Sequence, residues 1–168
     1  MPYNKDIHHR RSIRLKDYDY SQSGLYFVTI CTQDRDCRLG NIVNGEMVLN
    51  ELGNEINNIW KELPNHFPNI ECDIYQIMPN HIHGIIIINK LTNASDKNVG
   101  IGDIVCAFKS LSVVRCLKKS KSRNETLGKL WQRNYYEHII RTPQEHYKIA
   151  NYIISNPYNW TKDELFEE

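Results

Sequence analysis

Hydrophobic positions along this chain change their period several times, and each change marks an element. From Gly24 to Thr32, the residues Leu25, Tyr26, Phe27, Val28, Ile30 and Cys31 form a dense β-branched and aromatic run between a Ser/Gly stretch and Gln33-Asp34, which predicts a first strand. Weaker extended pieces over 37–43 and 46–49 flank Asn44-Gly45, the dipeptide that best favours a two-residue hairpin turn. After Asn50, an N-cap residue, Leu52, Ile56, Ile59, Trp60 and Leu63 recur at helical spacing, and Pro64 is expected to stop that helix. Ile70 to Met78 alternates loosely and ends at Pro79-Asn80. Next come His81-Ile82-His83-Gly84 and four consecutive isoleucines, Ile85 to Ile88, a run too short for a helix and suited to a strand buried on both faces. The short turn between these two runs predicts an antiparallel hairpin.

Residues 91–100 read as a polar loop, after which Ile104, Val105, Phe108, Leu111, Ser112 and Arg115 fit a helix whose far end enters a basic run. The stretch 118–129 reads as a mobile connector that could order on binding. Residues 134–141 predict a last strand. Thr142-Pro143-Gln144-Glu145 then opens a helix, with Thr as N-cap, Pro at the first helical position and Glu completing a capping box. That helix runs through Ile154 and ends near Asn156, because Pro157 follows, and Trp160 is expected to dock back. The order of elements predicts an α+β fold, an antiparallel sheet flanked by helices and close to the ferredoxin-like plan.

The length of 168 residues suits one domain over 1–168, with a basic N-terminal arm at about 1–20 and a short acidic tail at about 158–168. A composition of 40% hydrophobic and 24% charged residues is ordinary for a soluble protein, and no apolar stretch is long enough to cross a bilayer. The polar N-terminus, with His8, His9, Arg10 and Arg11, does not read as a secretory signal. Five cysteines without a Cys-x-x-Cys pair are most simply free thiols in a reducing cytoplasm. The net charge of +1 conceals segregation: Lys109, Arg115, Lys118, Lys119, Lys121 and Arg123 occur with no acid among them, and Arg10, Arg11, Arg14 and Lys16 form a second cluster. Such clusters can present a positive surface to a polyanion, although a solvated helix end and loop would have the same charges.

Residues two apart on a strand share a face, so His81 and His83 would present two imidazoles together while Ile82 points away. That is metal-ligand geometry, and histidines capping the edge of a core would look the same in sequence. On the last helix, Tyr152 and Asn156 are four apart and share a face one turn separated. Among ten tyrosines, any single one commonly plugs the rim of a core, and an Asn before Pro can serve as a C-terminal cap.

Taken together, Pro79-Asn80-His81-Ile82-His83-Gly84, Trp131-Gln132-Arg133, Tyr136-Glu137-His138-Ile139-Ile140-Arg141 and Tyr152-Ile153-Ile154-Ser155-Asn156-Pro157 resemble the HUH-type single-tyrosine transposases, in the REP-associated tyrosine transposase branch. The resemblance runs from about the first strand to Pro157. It implies the HUH endonuclease version of the ferredoxin-like fold, a divalent metal held by His81, His83 and the side-chain oxygen of Asn156, and Tyr152 as nucleophile. It implies single-stranded or hairpin DNA as substrate and a product joined to the protein through a 5′ phosphate. Two imidazoles and an amide oxygen suit Mn2+ better than Mg2+, although Mg2+ is the abundant ion. Zinc lacks a further cysteine or histidine beside the pair. On the same reading, Lys109, Arg115, Lys118, Lys119, Lys121 and Arg123 track a DNA backbone, Arg10, Arg11 and Arg14 act as an N-terminal arm, and Trp131 or Tyr136 stack unpaired bases. His138 is not counted as a ligand and at most stands behind the ligands. Both a monomer and a homodimer are compatible with this pattern, so the last helix could serve its own site or a partner's. Two other classes compete: a non-catalytic DNA-binding regulator of the same fold, and a hydrolase in which the histidine pair activates water and Tyr152 is structural.

Overall fold

A computed structural model describes residue 19 and residues 21–91 and 99–166. Arg10, Arg11 and Arg14 lie outside the described residues. Among the described residues, six strands and three α-helices follow in the order β1 (Gly24–Cys31), β2 (Gly40–Val43), β3 (Glu46–Leu49), α1 (Glu51–His66), β4 (Ile70–Ile77), β5 (His81–Ile88), α2 (Ile101–Ser122), β6 (Tyr136–Ile140) and α3 (Pro143–Ser155). Four strands form one sheet in the order β4-β5-β1-β6, with every neighbouring pair antiparallel. Leaving aside the β2–β3 hairpin, the succession is β-α-β-β-α-β followed by α3, the ferredoxin-like plan expected from the sequence with one added helix. The hairpin turns at Asn44 and Gly45, whose φ angles of 53° and 80° are the left-handed pair that a two-residue turn requires.

The sheet is buried on both faces, and strand parity decides what each face carries. Tyr26, Val28 and Ile30 of β1 and Ile82, Ile86 and Ile88 of β5 join Ile56, Ile59, Trp60 and Leu63 of α1 and Ile104, Val105 and Phe108 of α2 in the larger core. Phe27, Ile85 and Ile140 form a smaller cluster on the opposite face with Ile153 of α3. Burying such a side chain contributes about 1.5–3 kcal/mol, so Ile153 is the principal apolar anchor that seats α3 on the sheet. Because His81 and His83 have the parity of Ile85, both histidines look toward α3.

Two expectations about element ends are corrected. Pro64 lies inside α1, which continues to His66. Proline removes the hydrogen bond that Trp60 O would accept, but the Cys72 thiol of β4 donates to that carbonyl at 3.5 Å. The basic stretch read as a connector from residue 118 is helical as far as Ser122. Three cations in and beside it are held along α1: Arg115 pairs with Glu62 and, at 3.8 Å, Glu55, while Lys119 pairs with Glu55 and Arg123 with Glu51. Cations in a last helical turn also complement the helix dipole. At the start of α3, the Thr142 hydroxyl accepts from Glu145 N at 3.1 Å as a cap should. The Glu145 carboxylate, however, accepts from Arg141 N at 2.7 Å rather than closing the capping box on Thr142.

Candidate active site

His81 and His83 begin β5 with their ring centroids 4.3 Å apart, both buried. Each ring is oriented through Nδ1. That of His81 lies 2.8 Å from Asn80 Oδ1, and that of His83 lies 2.8 Å from Thr29 Oγ1 on the neighbouring strand. An amide oxygen can only accept, so His81 carries its proton on Nδ1 and keeps a lone pair on Nε2. That Nε2 is buried and has no hydrogen-bond partner among the described residues. Burial lowers the proton affinity of both rings: His81 falls well below its ordinary value, helped by its neighbour His83, and His83 falls to about 4. At neutral pH these are two uncharged imidazoles with lone pairs available, the state a metal ligand needs.

The α3 helix brings the second half. Tyr152 Oη lies 3.2 Å from His83 Nε2 and 3.3 Å from Asp163 Oδ2, so its single proton has two acceptors. The Tyr152 and His83 ring centroids are 5.1 Å apart. Burial, with the negative charge of Asp163 beside it, pushes the phenol up to about 12. Asn156 caps α3 and is buried; its Nδ2 donates to Asp163 Oδ2 at 2.5 Å. Once the amide is oriented by that bond, its Oδ1 has no partner among the described residues. Two strong acceptors, His81 Nε2 and Asn156 Oδ1, are thus left without donors in the same buried region. Since such atoms are costly to leave unpaired, the donor set fits a divalent cation.

Asp163 is the site residue that the sequence did not single out. It follows a short 3-10 turn, Trp160–Lys162, and one ligand atom each from His81, His83 and Asp163 lie within 4.8 Å of one another. The segment is fastened at several points. Trp160 is buried with its ring 5.9 Å from that of His81, Leu165 N donates to Asp163 Oδ1 at 2.7 Å, and Asn80 Nδ2 donates to Leu165 O at 2.7 Å. The sequence indicated Trp160 as a docking residue, but an acid three positions later in an acidic tail had nothing to distinguish it from solvated neighbours.

The residues assigned to DNA fare differently. Lys109 is turned inward, its Nζ donating to the carbonyls of Gln132, Arg133 and Asn134 at 2.8, 3.3 and 3.0 Å, which uses all three of its protons. Burial lowers its proton affinity. Arg115, Lys119 and Arg123 are neutralised by α1 carboxylates, whereas Lys118 and Lys121 are exposed on α2. Trp131 is buried against Phe108, at 5.5 Å between ring centroids, and so is a core residue with no face open for a base. Tyr136 is exposed at the mouth of a cavity shared with Tyr152 and His83. His138 pairs with Glu145 at 2.6 Å and supports the start of α3, not either imidazole of the His81–His83 pair.

An antiparallel α+β sheet that presents a His-x-His pair beneath a helix-borne tyrosine defines the class of protein. Residues 28–156 match the family described as IS200-like transposases, and the chain belongs to that family. It is 42% identical over 98% of its length to a Haemophilus influenzae (strain Rd) protein that has not been characterised, covering 97% of that relative. It is 28% identical, over 83% of this chain and 73% of the other, to a protein of the same organism assigned as a REP-associated tyrosine transposase. Its fold is similar to that of a REP-associated tyrosine transposase solved with a REP hairpin (TM-score 0.64, 18% identity, 88% of this chain and 74% of that one). A Deinococcus radiodurans R1 protein assigned as a transposase has the same fold at a TM-score of 0.50 and 18% identity, covering 88% of this chain and 98% of that one. The recognition made from the sequence motifs therefore holds: the chain is a transposase by family, and its fold is that of the solved transposases. Among the described residues, no helix is long and apolar enough to cross a membrane.

Proposed function

We propose that this transposase nicks and rejoins single-stranded, hairpin-containing DNA through a covalent 5′-phosphotyrosine at Tyr152. The observation that carries the reading is the approach of Tyr152 Oη to within 3.2 Å of His83 Nε2 inside one chain. A strand and a distant terminal helix supply the two groups, each on a rigid element. In the step itself, Tyr152 Oη forms a bond to phosphorus while the bond from phosphorus to the 3′ oxygen breaks. The phenol proton ends on the departing 3′ hydroxyl. Since one phosphoester replaces another, a 3′ hydroxyl can reverse the step and join strands without a nucleotide cofactor.

His81, His83 and the Asn156 side-chain oxygen would hold the divalent metal, Mn2+ or Mg2+, with Asp163 within reach as a further oxygen ligand. A metal bound there would supply charge neutralisation for the attacked phosphate. The protein's own part is to position and protect. Thr29 and Asn80 hold the imidazoles by Nδ1 so that Nε2 is left for the metal, and Asp163 accepts a hydrogen bond from the phenol while it orients the Asn156 amide. A phenol held up to about 12 is almost wholly protonated at neutral pH, so its ionisation must accompany substrate binding. The meeting of Tyr152 and His83 within one chain supports a site assembled without a second copy. The free thiols of Cys31, Cys72, Cys106 and Cys116 accord with a reducing compartment, the cytoplasm. The same reading treats residues 1–168 as one catalytic domain.

The test is a denaturing gel of the protein with a 5′-flanked hairpin oligonucleotide and Mn2+. A protein–DNA adduct is expected, lost with chelator and in Tyr152→Phe. Cleavage without adduct would establish a hydrolase, and binding without cleavage a regulator.

A further inference from the structure

We propose that the cavity beside Tyr152 receives the base of an unpaired nucleotide adjoining the attacked phosphodiester, with Tyr136 as the stacking surface and the Gln132 and Asn134 amides reading the edge of the base. This rests on the tyrosine-attack reading above and names the substrate feature that the same site selects. The cavity has a volume of about 890 Å³, far more than a phosphate at the His83 end needs. Among its described lining residues, Lys162 is the one lysine or arginine, and Asp163 and Glu164 line the cavity beside it in sequence. Further phosphates are poorly served by such a wall, whereas aromatic faces accept any base.

The rings are arranged in sequence away from the reacting group. Phe27 lies 5.4 Å from His83, 6.4 Å from Tyr152 and 6.1 Å from Tyr136, centroid to centroid, edge-on to both tyrosines. Phe27 therefore bridges the reacting phenol and Tyr136, which is 52% exposed. A base lying on Tyr136 is one ring removed from the phosphate site, a nucleotide's reach.

The segment carrying the two amides is stiffened from behind, which is the role the structure gives Lys109. Its ammonium binds the carbonyls of residues 132, 133 and 134 and sits 5.6 Å from the centroid of the Tyr135 ring, while Gln132 N donates to Cys31 O of β1 at 3.0 Å. The backbone is thereby fixed before any ligand arrives, so less ordering is required on binding. Each amide offers a donor and an acceptor in one plane, the pattern by which Asn and Gln read adenine.

The test measures metal-free binding, by fluorescence anisotropy, of a labelled deoxyadenosine twelve-mer, a deoxycytidine twelve-mer and an abasic deoxyribose-phosphate chain of equal length. The parent protein is expected to prefer the adenine chain to the abasic one by about fivefold or more, in keeping with one stacked base. Tyr136→Ala removes most of that preference and leaves abasic affinity unchanged. Gln132→Ala with Asn134→Ala narrows the preference for adenine over cytosine, and circular dichroism checks that each variant is folded. Full base preference in Tyr136→Ala overturns the proposal, as does an unaltered adenine-to-cytosine ratio in the amide variant. An adduct at Tyr152 without Tyr136-dependent base preference defeats this inference alone. Base preference without an adduct defeats the tyrosine-attack reading and leaves the base site standing.

Discussion

Replacing Asn156 by leucine separates the two things its amide does. Nδ2 makes a hydrogen bond to the Asp163 carboxylate, while Oδ1 is buried without a donor among the described residues. A hydrogen bond to a charged group contributes about 1.5–3 kcal/mol, and an unsatisfied buried acceptor costs about 1–3 kcal/mol, so the two nearly cancel. Asp163 keeps the Tyr152 hydroxyl and Leu165 N as donors when the amide is removed. Asn156→Leu, close in volume and fully apolar, is therefore expected to change metal-free stability by no more than about 1 kcal/mol, the residue of those terms. Metal-bound protein should respond differently. At free Mn2+ about 100-fold above its dissociation constant, binding to the native state adds about 2.7 kcal/mol, a rise in Tm of about 5–10 °C for a chain of this size. The variant should lose most of that rise. Calorimetric unfolding in chelator and in Mn2+ reads both quantities. A variant that is several kcal/mol less stable without metal yet keeps the full Mn2+ shift would refute the assignment of Oδ1 as a ligand atom.

Acid should destabilise the chelated protein in a defined window. His83 is near 4 when folded against an ordinary 6.5, so between those values the unfolded chain binds a proton that the folded one refuses. Stability is complete above pH 6.5 and falls as pH drops toward 4, by about 3 kcal/mol from this ring at about 1.4 kcal/mol per unit, with His81 acting in the same direction. Urea titrations at pH 7, 5.5 and 4.5 measure this, and a flat profile would contradict the neutral imidazoles. Behind the histidines, Gly84 lies under the Trp60 indole, and a Cβ there would overlap the ring. Gly84→Ala is expected to lower stability by about 1–3 kcal/mol and to weaken Mn2+ binding by shifting β5; unchanged values for both would show that α1 does not hold this strand in place.

The strands, the helix starts and the isoleucine run were legible in the sequence because they depend on local period and capping. Asn44-Gly45 sets its own turn, Thr142-Pro143 its own helix start, and His81-Ile82-His83 its own alternation, whatever the rest of the chain does. Helix ends were less legible. Pro64 stays helical because a thiol on another strand takes the freed carbonyl, and Lys118 to Ser122 stay helical alongside carboxylates supplied by α1.

Local pattern by itself determined which face of β5 carries both imidazoles and which face of α3 carries the phenol and the amide, since parity and helical pitch are properties of a few consecutive residues. Tertiary structure alone decided that these faces meet, that Asp163 joins them from the tail, that Trp131 is core, and that Lys109 holds a loop instead of a phosphate. Charges, donors and acceptors act over a few ångströms of space irrespective of chain separation. A run of cations thus reads as a free surface until the fold shows which carboxylates and carbonyls lie opposite it.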